Sequence, residues 1–123
     1  MVGLTHLDEN GAARMVDITD KEITYREAIA TSSISMQADT LAKVINQGIE
    51  KGDVLSVARI AGIQAAKRCS DLIPLCHSLQ LSSVTIDFKI DQVALKIDIR
   101  CHCKLAGRTG VEMEALTGAS IAA

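Results

Sequence analysis

Aromatic side chains are almost missing from this chain: Tyr25 and Phe88 are the only two, tryptophan is absent, and the aromatic share is 2%. A platform that stacks single-stranded bases needs several rings, so that class of protein is excluded. No uninterrupted apolar run approaches the ~20 residues of a membrane-spanning helix. The start, Met1-Val-Gly-Leu-Thr-His-Leu-Asp-Glu-Asn, has neither a basic region nor an apolar stretch. No secretory signal is therefore expected, and the cytoplasm is the expected location. Neither sign of charge dominates: Lys plus Arg is 13, Asp plus Glu is 15, and the net charge is −2. That balance excludes a global electrostatic attraction to nucleic acid or to an anionic membrane. The cysteines (Cys69, Cys76, Cys101 and Cys103) contain no CxxC pair, and free thiols in a reducing compartment are expected.

What is present describes an ordinary globular domain. The chain has 123 residues, 48% hydrophobic and 23% charged, which suits one domain with a proper core over 1–123. Residues 1–12 are polar and contain Asn10-Gly11, a turn or a flexible end. A short strand is predicted at Arg14–Thr19. A longer one is predicted at Glu22–Ser33, with Ile23, Tyr25 and Ile29 at alternate places and Arg26 on the other face, although Arg26-Glu27-Ala28 also suits a helix. Ala38, Leu41, Val44, Ile45 and Ile49 recur at helical spacing, predicting a helix over Asp39–Ile49. Gly52 then breaks the chain, and Asp53 is a fitting N-cap for a second helix, Val54–Ser70, which stops short of Pro74, the single proline.

That second helix is apolar nearly all round. Its polar residues Ser56, Arg59, Gln64 and Lys67 fall on one stripe roughly 140° wide at ~100° per residue. Two readings stand for the stripe, a lined pocket or interface and a solvated outer face. The excess apolar surface of Val54–Ala66 predicts self-association.

Further on, Val84, Ile86, Phe88 and Ile90 alternate with polar residues, and so do Val93, Leu95, Ile97, Ile99, Cys101, Cys103 and Leu105. This predicts an antiparallel hairpin with a tight turn at Asp91-Gln92. The alternation puts Cys101 and Cys103 on the core face, as small hydrophobes rather than ligands, and His102 on the wet face. Thr109-Gly-Val-Glu112 reads as a capping box opening a last helix through Leu116 and Ala119. That helix meets Ala123 with no C-cap glycine and no basic last turn, and a continuation beyond it is expected. The tally is β-α-β-β-α, which predicts an α+β, ferredoxin-like (split βαβ) antiparallel sheet with helices on one face and the last strand missing.

Three stretches join loops to reactive side chains: Lys51-Gly52-Asp53, Asp71–His77, and Arg108–Glu114. His77, in a proline-containing loop, is either structurally idle or a proton carrier near neutral pH. Cys76-His77 with Cys69 suggests zinc, but the CxxC or HxxxH spacing is absent, so no metal and no cofactor are expected. Gly107–Gly110 precedes a helix N-terminus that could hold an anion, with Glu112 competing for the same amides. Glu112 and Glu114 lie ~200° apart on a helix, so at most one of them faces a ligand.

Lys51-Gly-Asp53, Ala58-Arg-Ile-Ala-Gly-Ile-Gln-Ala-Ala-Lys67, Asp71-Leu-Ile-Pro-Leu-Cys-His77 and Thr109-Gly-Val-Glu-Met-Glu-Ala-Leu-Thr117 together resemble the cyclic pyranopterin monophosphate synthases of molybdenum cofactor biosynthesis, the MoaC family. Leu4-Thr5-His6 and Met15-Val16-Asp17 resemble the start of that family, so the likeness covers essentially the whole chain. It implies a ferredoxin-like fold, a homohexamer built as a trimer of dimers, and active sites between subunits. The implied reaction converts a GTP-derived cyclic nucleotide triphosphate, supplied by a radical SAM GTP cyclase, into cyclic pyranopterin monophosphate and diphosphate. Carried over by motif, Lys51 and His77 are catalytic. Arg26, Lys51, Lys67, Leu75, Cys76, His77, Glu112, Met113 and Glu114 contact substrate, with Arg26, Lys51 and Lys67 as the cations a triphosphate requires. Family members continue past Ala123 with a catalytic aspartate and lysine and a closing strand. A non-catalytic, nucleotide-binding and oligomerising remnant is therefore the alternative expectation.

Overall fold

The computed structural model describes residues 5–46 and 53–123. Its elements are β1 (Thr24–Ser35), α1 (Ala38–Ile45), α2 (Val54–Lys67), α3 (Cys69–Leu72), β2 (Ser83–Asp91), β3 (Lys96–Gly107) and α4 (Glu112–Ala122). They form the expected α+β layers, an antiparallel sheet in the order β1-β3-β2 with the helices on one face. The register runs from Thr24↔Gly107 to Ser35↔Lys96 on one side of β3 and from Ser83↔Lys104 to Asp91↔Lys96 on the other.

β3 is central because its alternation is the most regular. Ile97, Ile99, Cys101, Cys103 and Leu105 are all buried under the helices, while Arg100 is exposed on the open face. Both β3 thiols are completely enclosed, as expected for small hydrophobes. The covering layer is α2 crossing α4 through small residues. A Cβ on Gly62 would lie 2.9 Å from the Gly118 carbonyl oxygen and 2.9 Å from Ala122 Cβ, and one on Gly118 would lie 2.6 Å from Cys101 Sγ. Glycine at both places lets the helices sit directly on each other and on β3.

Several expectations are corrected. No strand forms at Arg14–Thr19, because local polar contacts take up its backbone: the Asp17 carboxylate accepts the Thr19 amide (2.9 Å) and hydroxyl (2.6 Å). The Asn10-Gly11 turn does form, with Asp8 Oδ1 accepting the amides of Asn10 and Ala12 at 2.9 Å. β1 is shifted two residues along the chain from the predicted span, starting at Thr24 and ending at Ser35, and the helical alternative at Arg26–Ala28 does not form. Its inner face is the one with Arg26, Ala28 and Ala30, so Ile23, Tyr25 and Ile29 point outward and are exposed. The side chains of α4 crowd that inner face and favour small residues there.

The hairpin turn is longer than a two-residue one. Residues 92–95 form it, with Asp91 Oδ1 accepting the amides of Val93 (3.1 Å) and Ala94 (2.9 Å) and Leu95 in the left-handed region at φ 57°. Val93 therefore leaves the alternation and is 96% exposed. α2 ends at Lys67 rather than Ser70, because Arg68 (φ −111°, ψ 21°) breaks the helix before the short α3. The capping box does not form: Val111, fully buried, is the N-cap of α4, and no side chain caps the helix. Asp53 does cap α2, accepting the Leu55 amide at 3.0 Å. Residues 47–52 lie outside the described ones, so the predicted end of the first helix at Ile49 and the Lys51-Gly52 break fall there. The α2 polar stripe faces solvent in the single chain, and Arg59 has a structural task, its Nε donating to the Ile86 carbonyl at 2.9 Å with the guanidinium 5.3 Å from the Phe88 ring centroid.

Candidate active site

Beyond α3 the chain must turn back to enter β2, and Pro74 forces an irregular path. Leu75 takes φ 62°, a left-handed conformation that costs a leucine energy and clusters at functional loops. The strained turn projects Cys76 and His77 towards the start of α4. There, ~200° of helical rotation separates two carboxylates: Glu112 is exposed and Glu114 is 3% exposed. Between loop and helix lies a cavity of about 420 Å³, walled by Ile73–His77, by Thr109 and Gly110, by Glu112, Met113 and Glu114, and by Leu79 and His6.

Six of the residues singled out in the sequence thus meet in one place: Leu75, Cys76, His77, Glu112, Met113 and Glu114. Arg26 and Lys67 do not line this cavity. Arg26 stands opposite Leu105 on the inner face of the sheet, its Nε buried with no hydrogen-bond partner, and Lys67 is exposed at the end of α2. Lys51 lies outside the described residues.

The imidazole of His77 is held from the N-terminal side. Its Nε2 lies 2.6 Å from the carbonyl oxygen of Val16, which can only accept, so Nε2 carries the hydrogen. In the neutral ring Nδ1 is then the free lone pair. Behind the cavity, Cys76 Sγ is 3.7 Å from Glu114 Oε2 and 3.7 Å from Cys69 Sγ, and Cys69 Sγ is 3.4 Å from Thr117 Oγ1. Burial pushes the Cys76 thiol up to about 12, aided by the Cys69 contact and the neighbouring carboxylate, so the free thiol is no nucleophile at neutral pH. Burial also pushes the Glu114 carboxyl above its ordinary range.

Residues 15–123 match the MoaC family. A cyclic pyranopterin monophosphate synthase of Desulforapulum autotrophicum is 53% identical over 123 residues, spanning all of this chain and 76% of its own length. The protein of that name from Natranaerobius thermophilus is 55% identical over 119 residues, 97% of this chain and 75% of its own. One from Parvibaculum lavamentivorans is 52% identical over 118 residues, 96% of this chain and 74% of its own. The chain belongs to the MoaC family. It spans about three quarters of the length of these relatives.

Sequence reasoning assigned three residues of this MoaC chain to no site, although it weighed Cys69 as a zinc ligand and set it aside. His6 lines the cavity, Thr117 contacts Cys69, and Cys69 itself backs Cys76. For Thr117 a signal existed: it follows Glu114 by three, which on a helix puts both on one face. His6 had none, because its approach depends on how residues 5–23, without regular strand or helix, drape over the loop.

Proposed function

We propose that this chain acts in molybdenum cofactor biosynthesis, converting the GTP-derived cyclic nucleotide triphosphate to cyclic pyranopterin monophosphate with release of diphosphate. The convergence of Leu75–His77 with Glu112–Glu114 on one cavity, in a chain whose relatives bear that enzyme's name, carries the reading. His77 accepts and returns a proton through Nδ1, and the Val16 carbonyl keeps the ring in that tautomer. Leu75, Cys76, Met113 and Glu114 hold the purine-derived portion, and Glu112 stands at the mouth. Because the three relatives described above are named as the synthase, the non-catalytic remnant is not favoured.

Among the described residues lining the cavity there is no lysine or arginine. A triphosphate requires several cations in contact, each worth ~1.5–3 kcal/mol as a charge-assisted bond. Lys51 supplies one, with a catalytic role, as the family resemblance implies. Lys67 and Arg26 reach a site from a neighbouring copy, which requires the homohexamer, a trimer of dimers with sites between subunits. Exposed Val57 and Ile60 on α2 and Tyr25 and Ile29 on the open sheet face suit such contacts. The strand order β1-β3-β2 is compatible with a ferredoxin-like sheet whose fourth strand would lie beside β1. No helix among the described residues is long and apolar enough to cross a membrane, and a radical SAM GTP cyclase in the cytoplasm is the expected source of substrate.

The test is to supply the cyclic triphosphate to the 123-residue chain and to a form extended to the length of its relatives, and to follow pyranopterin fluorescence after oxidation. Turnover lost in His77→Ala supports the reading. Absence of turnover in both forms overturns it.

A further inference from the structure

We propose that Cys69, Cys76 and Glu114 form a binding site for a thiophilic divalent cation of the zinc class, contrary to the metal-free expectation from sequence spacing. The two thiols and the carboxylate come from α3, the strained loop and α4, and their ligand atoms all lie within 4.8 Å of one another. A tetrahedral ion with Zn–S of ~2.3 Å and Zn–O of ~2.0 Å requires S···S and S···O edges of roughly 3.8 and 3.5 Å. The observed edges are 3.7 Å between Cys69 and Cys76 and 3.7 Å between Cys76 and Glu114. The third, between Cys69 and Glu114, is within 4.8 Å, so an ion would draw the groups together by about an ångström at most and release the two thiol protons to solvent.

Charge points the same way. Glu114 is buried, and no described lysine, arginine or histidine pairs with it. A buried carboxylate without a counter-charge is costly, and a divalent cation would supply one. The arrangement also has an outside and an inside. Cys76 and Glu114 line the cavity while Cys69 lies behind it, so the fourth position opens on the cavity, as in zinc sites that keep a place for water or substrate. The Thr117 hydroxyl, 3.4 Å from Cys69 Sγ, is placed to donate to the thiolate. His77, which the sequence placed beside Cys76 and Cys69, is not among the clustered ligand atoms, and Glu114 takes the third place instead.

The probe is Co²⁺ added to untagged, reduced, metal-stripped protein. One equivalent per chain should produce a thiolate-to-cobalt charge-transfer band and the intense visible bands of a tetrahedral ion, both removed by Zn²⁺. Cys69→Ser and Cys76→Ser should each weaken binding at least as much as the ~10–100-fold usual for losing a supporting partner, Glu114→Gln should shift the visible bands, and His102→Ala should change nothing. A second readout needs no variant: each Zn²⁺ bound to the metal-stripped parent chain should release at least the two thiol protons, counted with a pH indicator in weakly buffered solution. If cobalt yields no charge-transfer band, or zinc releases no protons, the three groups are merely packed together and the site is refuted.

Discussion

His77 donates its Nε2 hydrogen to the carbonyl oxygen of Val16 across a distance of 2.6 Å, joining the cavity loop to a segment sixty-one residues earlier. This bond decides which nitrogen of the ring can work as a base. Nitrogen NMR of the neutral imidazole should show Nε2 protonated and Nδ1 free. His77→Ala should lower kcat by ~10²–10⁴-fold, the usual loss on removing a general acid or base. The opposite tautomer, or an unchanged kcat, would remove His77 from the proton-transfer role.

At the crossing of α2 and α4, Gly62 has no room for a methyl group beside the Gly118 carbonyl and Ala122. Gly62→Ala gains up to ~1 kcal/mol of helix propensity, but the added volume forces the helices apart. We expect a net loss of about 1–3 kcal/mol in urea unfolding, the usual range for overpacking. A variant as stable as the parent would mean that the helices can separate freely.

Asp53 caps α2, and its carboxyl sits below the ordinary range chiefly because the Ser56 hydroxyl donates to it at 2.9 Å, with the Leu55 amide adding to this. A depressed carboxyl stabilises the fold above the unfolded value of ~3.9, and the gain is lost as pH falls through the lower folded value. Asp53→Ala should therefore unfold at lower temperature than the parent at pH 7, with the gap narrowing below about pH 4. A gap that stays constant into acid would show that the charge contributes nothing.

Val57 and Ile60 leave α2 with an exposed apolar strip. If copies associate through it, Val57→Glu with Ile60→Glu should lower the mass measured by light scattering while circular dichroism stays unchanged. An unaltered mass would move the contact to the open sheet face around Tyr25 and Ile29.

The elements that could be read from the chain share one property: their pattern is carried by neighbours in sequence. The alternation of Ile97 to Leu105 could be satisfied only by a strand with one buried face, and the buried thiols of Cys101 and Cys103 follow from it. Asp53 before an apolar run could be read as a cap for the same local reason. The Leu75–His77 and Glu112–Glu114 stretches could be singled out because reactive side chains sit there beside a proline-containing loop and a helix start, and the two stretches line one cavity.

What tertiary structure decided lay wherever distant segments compete for the same group. Alternation along β1 says that Tyr25 and Ile29 share a face, yet only the small residues at Ala28 and Ala30 fit under α4, so the larger ones turn outward. A capping box at Thr109 satisfies local rules, but burying Val111 completely starts the helix later and leaves Glu112 in its first turn. The meeting of Cys69, Cys76 and Glu114 depends on three elements closing together around one point, and no spacing along the chain encodes that approach. Local pattern settles which face and which element a residue joins. Packing between elements settles which side chains touch, because that contact is chosen by volume and burial rather than by order.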